Sequence, residues 1–114
     1  MFSSQERKVL SLIYIGKYDE LIPNRGYESM KLHFSESKYP NQDIISNYLN
    51  SGKVDMVSAE LPFDVFTGDR IKKEKIGMND GVYMWWNTLA HYVDKYNLRL
   101  PEEFENYILK GTLQ

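Results

Sequence analysis

The sequence predicts a small α+β domain, an antiparallel meander of about three to four strands packed with about four helices. Three observations carry that expectation. Apolar residues recur at helical spacing around 44–49, 89–96 and 104–108, whereas 53–58, 70–76 and 82–85 are short strand-like runs set apart by turn signals. The chain has 114 residues, 42% of them hydrophobic and 26% charged, with no repeat, low-complexity tract or Gly/Ser linker, so residues 1–114 read as one domain. Seven of the 16 aromatic side chains crowd into residues 79–109, a density that points to a packed core whose edges can grip another protein.

The first helix is expected after Ser3-Ser4-Gln5-Glu6, a capping-box pattern in which the serine hydroxyl and the glutamate satisfy exposed amides. Val9, Leu10 and Ile13 give it an apolar face and Gly16 ends it; a strand through Val9 to Ile15 is the competing reading. The second helix starts at Pro40 or Asn41, has Asp43 in its first turn, repeats Ile44, Ile45, Tyr48 and Leu49, and stops at Gly52. Strands follow at Lys53 to Ser58, more weakly around the proline-containing Leu61 to Phe66, at Arg70 to Ile76 and at Val82 to Trp85. Met78-Asn79-Asp80-Gly81 reads as the hairpin turn between the last two, and Phe66-Thr67-Gly68-Asp69 as a second turn. The third helix runs from Thr88 to Tyr96, capped by Asn87, with Leu89, Tyr92, Val93 and Tyr96 on one stripe. The fourth begins at Pro101, carries Glu102 and Glu103 in its first turn, buries Phe104, Tyr107 and Ile108, and ends at Gly111. The short link Asn97 to Leu100 makes these two helices neighbours.

Charge and composition narrow the function. With 14 basic and 16 acidic residues the net charge is -2, which argues against nucleic acid or an anionic membrane as partner. The longest apolar run, Leu10 to Ile15, is far below the roughly 20 residues of a membrane span. Glu6, Arg7 and Lys8 stand where a signal peptide needs apolar residues, so a cytoplasmic protein is expected. The absence of cysteine removes disulfides, thiolate metal sites and cysteine nucleophiles.

No residue set spells out a reaction, and no catalytic, cofactor or metal site is assigned. His33 and His91 lack partners at metal-ligand spacing. His91 has Asp94 three residues on and Asn87 four residues back, a face able to orient an imidazole but more often a surface hydrogen-bonding pair. Asp64, Asp69 and Asp80 fall in turns, where aspartates usually cap their own backbone. The run from Arg70 to Lys75 reads as a solvated edge strand rather than a nucleic-acid patch. Opposite charge gathers at Asp94, Glu102, Glu103 and Glu105, a surface able to attract a basic protein. Trp85 and Trp86 are adjacent, so on a strand one faces the core and the other the opposite side. Asp80, Tyr83, Trp85, Trp86, Asp94, Glu102, Glu103 and Glu105 are therefore the candidate partner-binding residues.

Tyr39-Pro40-Asn41-Gln42, Ile44-Ile45 and Tyr48-Leu49-Asn50-Ser51-Gly52 form one block. With Asn79-Asp80-Gly81-Val82-Tyr83-Met84-Trp85 and Leu98-Arg99-Leu100-Pro101-Glu102-Glu103-Phe104 they make a recognisable pattern. It resembles small bacterial immunity proteins encoded beside polymorphic toxins, including those of contact-dependent growth inhibition systems. The resemblance spans roughly residues 27 to 109, and departs from the pattern at His91, where a second tyrosine is expected. It implies a non-enzymatic antitoxin, monomeric or weakly dimeric when free. Such a protein binds the C-terminal domain of a cognate toxin, often a nuclease, and blocks its active or substrate surface. A regulatory or self-associating interaction module is the alternative, and a small enzyme using the turn carboxylates and His91 a more distant one.

Overall fold

The computed structural model describes residues 12–71 and 74–112. Their elements are β1 (Ile13–Tyr14), α1 (Gln42–Asn50), β2 (Lys53–Val57), β3 (Ile76–Asn79), β4 (Tyr83–Trp86), α2 (Thr88–Tyr96) and α3 (Glu102–Thr112), with one turn of 3-10 helix at Met30–His33. The fold is α+β. Its sheet is mixed rather than purely antiparallel: the strand order is β1-β4-β3-β2, and β1 runs parallel to β4. The antiparallel part, β2 through β3 to β4, follows chain order.

Three of the four expected helices lie among the described residues. Most of the proposed first helix lies outside the described residues, but Ile13 and Tyr14 are extended, and Ile13 and Ile15 donate to Val82 and Met84 of the β4 segment. β-branching and an aromatic ring fit that pleated edge better than a helix. The weak strand around Leu61 to Phe66 is reduced to one bridge, Phe63 with Arg70, and the strand expected from Arg70 begins only at Ile76. Pro62 accounts for the first loss, since it has no amide hydrogen to give a ladder. Helix α2 has the expected bounds, but Asn87 does not cap it with its side chain. The Asn87 amide instead bonds the backbone of Glu74 and Ile76, pinning β3 beside β4. Helix α3 continues through Gly111 to Thr112.

The core forms between the sheet and the helices. Trp85, Phe104, Met30, Ile45, Leu49, Tyr92, Val93, Leu98 and Ile108 are buried together. The Trp85 ring lies 5.7 Å from that of Phe104, and its indole N–H donates to the Leu49 carbonyl, so the largest core side chain leaves no polar atom unpaired. Gly52, where α1 passes into β2, is set by this packing. A Cβ there would come within 2.8 Å of the Trp85 ring.

Candidate functional site

The hairpin between β3 and β4 turns through Asp80, Gly81 and Val82, with Gly81 at a φ of +94° that favours glycine. One oxygen of Asp80 accepts from the amides of Val82 (2.9 Å) and Tyr83 (2.7 Å), while Asn79 accepts from the amide of Gly81. This is local side-chain capping of a turn. The other Asp80 oxygen accepts the hydroxyl of Tyr48 from α1. Tyr83, the next strand residue, packs its ring 4.6 Å from Phe104 and 5.0 Å from Tyr107 of α3. Burial, followed by the hydrogen bond to and charge of Asp80, pushes the Tyr48 hydroxyl well above its ordinary value, and burial with the Asp80 charge also raises Tyr107. Tyr48 therefore stays protonated as the donor to Asp80.

Around this cluster the surface is apolar and open. Val82 is 45% exposed, Tyr107 37%, and Ile13, which pairs in register with Tyr83, 49%. Among the described residues no Lys, Arg or His lies within ion-pair distance of Asp80. Three elements that are distant in sequence, β1, the β3–β4 turn and α3, thus bring aromatic and aliphatic side chains near a carboxylate that has no countercharge among the described residues. An amphipathic tyrosine-rich surface of this kind suits protein recognition.

The eight residues singled out from the sequence divide between places. Asp80 and Tyr83 meet in this patch. Trp85 is fully buried and holds the core, so it presents nothing to a partner in this structure. Trp86 points to the other side of the sheet, half-buried, with the Lys75 ammonium 4.6 Å above its ring. Asp94, Glu102 and Glu103 are exposed at the end where α2 passes into α3. Glu105 does not join them as a free charge: it is buried, pairs with Arg99 in a two-bond fork (2.7 and 3.1 Å) and accepts from the Leu100 amide. Tyr48, Tyr107, Ile13 and Val82 belong to the patch without having been read as such. The first three sit on apolar stripes, where an aromatic or aliphatic residue is ordinarily core.

No family model matches this chain, and no curated protein and no solved structure matches it either.

His91 finds a partner other than those its spacing suggested. Its Nε2 lies 2.8 Å from Asp64, a residue in the loop ahead of β3 that is 1% exposed. Asp64 also accepts from the Tyr96 hydroxyl (2.7 Å) and from the amides of Phe66 and Thr67, and the Lys95 ammonium stands 3.6 Å away. Burial acts to raise the Asp64 carboxyl, but the hydrogen bonds from His91, Tyr96 and the two amides outweigh it and hold the group well below the usual carboxylate range. The pair has the connectivity of a base and its orienting acid, yet His91, Tyr96 and Lys95 fasten Asp64 to α2 while the Phe66 and Thr67 amides close its own loop. The Asp69 carbonyl accepts the Asp64 amide (2.8 Å) and Asp80 lies in the β3–β4 turn, and among the described residues no group of three or more His, Asp or Glu side chains is placed to hold a metal ion. No helix among them is long and apolar enough to cross a membrane.

Proposed function

We propose that this protein is an immunity protein: it binds the C-terminal domain of a cognate toxin and neutralises it by covering its active or substrate surface. What supports the reading is the surface around Asp80, where Tyr107, Val82 and Ile13 are exposed near a carboxylate that has no ion-pair partner among the described residues. Aromatic and aliphatic area supplies affinity once water is excluded, and the carboxylate selects a basic partner and speeds encounter. The exposed Asp94, Glu102 and Glu103 add negative potential at another end of the molecule. The resemblance of the motif blocks to toxin-linked immunity proteins gives the partner its class. On this reading the protein acts without catalysis or cofactor, in the cytoplasm that it protects.

Co-expression with the toxic domain encoded by the neighbouring gene is the test. Survival of the cells and a co-purifying complex are expected, with survival lost for the double variant Asp80→Asn/Tyr107→Ala. Death of the cells despite folded protein, or rescue unaffected by that variant, would overturn the assignment of this surface to the toxin.

A second reading is favoured by one observation. Strand β2 is a sheet edge, and Val54, Met56 and Val57 on it are all more than half exposed, as are Leu61 and Phe63 beyond it. An apolar edge with unpaired backbone groups can accept another strand, including that of a second copy. Sedimentation across a hundredfold concentration range separates the two readings. An unchanging monomer removes self-association through β2.

A further inference from the structure

We propose that Asp80, together with the rings of Tyr83 and Tyr107, is a receptor for one lysine side chain of the bound protein partner. The inference rests on the protein-binding reading above and adds the chemistry of the central contact.

A carboxylate offers about four acceptor positions. Three of those on Asp80 are taken: the amides of Val82 and Tyr83 share one oxygen, and the Tyr48 hydroxyl occupies half of the other. One position has no partner among the described residues, on the oxygen that accepts the Tyr48 hydroxyl. This geometry does not fit the planar fork of arginine, which needs both oxygens for its two parallel bonds. It fits an ammonium, which places one N–H on the open position and leaves its remaining protons to solvent or to the phenol oxygens. The methylene stem of a lysine then lies along Tyr107, the exposed aromatic member of the patch.

Tyr107, 37% exposed, offers its ring to such a cation, and Tyr83 packs beside it. Among the described residues the cations standing over aromatic faces cover Phe66, Trp86, Tyr96 and Tyr39, and none covers Tyr48, Tyr83 or Tyr107. Elsewhere this protein supplies its own lysine or arginine to a ring. Here rings and a carboxylate stand together, and among the described residues no lysine or arginine is supplied to them. Aromatic faces around a negative charge attract an ammonium by cation–π and ion-pair terms at once, each strengthened when a partner displaces water.

The probe is N-acetyl-lysine methylamide, titrated into the isotopically labelled full-length protein and followed by NMR. Saturable shifts of the Val82 and Tyr83 amides and of the Tyr107 ring are expected. The same compound acetylated on its side-chain nitrogen should leave these signals in place, and the arginine analogue should bind no more tightly than lysine. Asp80→Asn keeps an acceptor for both turn amides but removes the charge, and should weaken binding by roughly five- to thirtyfold. Tyr107→Leu, at an exposed position, should weaken it by a smaller factor and guards against misfolding of the first variant. Equal shifts with the side-chain-acetylated probe, no saturable shift with lysine, or undiminished binding by both variants would overturn the proposal. Lysine binding without toxin neutralisation would leave the receptor standing and remove the immunity reading, and neutralisation without lysine binding would do the reverse.

Discussion

The Asp64 carboxylate is buried with hydrogen bonds from Tyr96 and the Phe66 and Thr67 amides, and with the His91 ring nitrogen at 2.8 Å. Removing its charge leaves those donors without an ionised acceptor, so Asp64→Asn should cost on the order of 3 kcal/mol at neutral pH. Urea unfolding measures it. The folded carboxyl titrates below the unfolded one. Its contribution is therefore complete above the unfolded value of about 4, and is lost as pH falls from there toward the folded value. The gap between wild type and Asp64→Asn should accordingly narrow below about pH 4; a gap constant from pH 7 to pH 2 would show that the charge is not what stabilises. The two adjacent tryptophans should also differ. Trp86→Phe should leave blue-shifted emission shielded from acrylamide, because only the buried Trp85 remains. Trp85→Phe should leave an accessible fluorophore and a weakened core.

At the scale of elements, close approaches decide which glycines matter. At Gly52 an added methyl would meet the ring of Trp85, which is locked on both sides by Phe104 and the Leu49 carbonyl. Gly52→Ala should therefore cost about 1–3 kcal/mol. Gly77 in β3 looks as crowded, with a Cβ contact of 2.9 Å, but the neighbour is the Met56 side chain, half-exposed and flexible. Gly77→Ala should stay within about 0.5 kcal/mol of wild type. Thermal unfolding of the pair tests the distinction. Equal destabilisation would mean that the Met56 side chain cannot move aside. The α2–α3 corner follows the same logic, since Glu105 locks it through Arg99 and the Leu100 amide and so contributes to the fold rather than to the acidic surface.

For the whole molecule, the two sheet edges differ. β1 borders the tyrosine patch, and β2 carries its apolar residues without cover among the described residues. A lysine placed on β2 blunts an edge by charge. Val57→Lys should leave stability within about 0.5 kcal/mol, because the side chain is 60% exposed, and should reduce any concentration-dependent association seen by light scattering. Association unchanged by this variant would place self-contact on another face.

Periodicity and turn chemistry determined much of this protein from sequence alone. The stripes of α1 and α2, the proline start of α3, the Asp-Gly hairpin and the α+β class all follow from local rules, because each depends on residues within a few positions of one another. Tertiary structure decided the rest. Ile13 and Tyr14 became a parallel strand because β4 offered its edge, and a two-residue strand leaves no period to read. Asn87 gave up its capping role for the β3 backbone, His91 found Asp64 rather than Asp94, and Glu105 lost its surface charge to Arg99. Asp80 and Tyr83 could be singled out as neighbours in the chain, but Tyr48 and Tyr107 join them only through packing of α1 and α3 on the sheet. A stripe tyrosine reads as core in sequence. Whether its ring reaches the surface depends on what the neighbouring element leaves uncovered, and that is settled only when the layers meet.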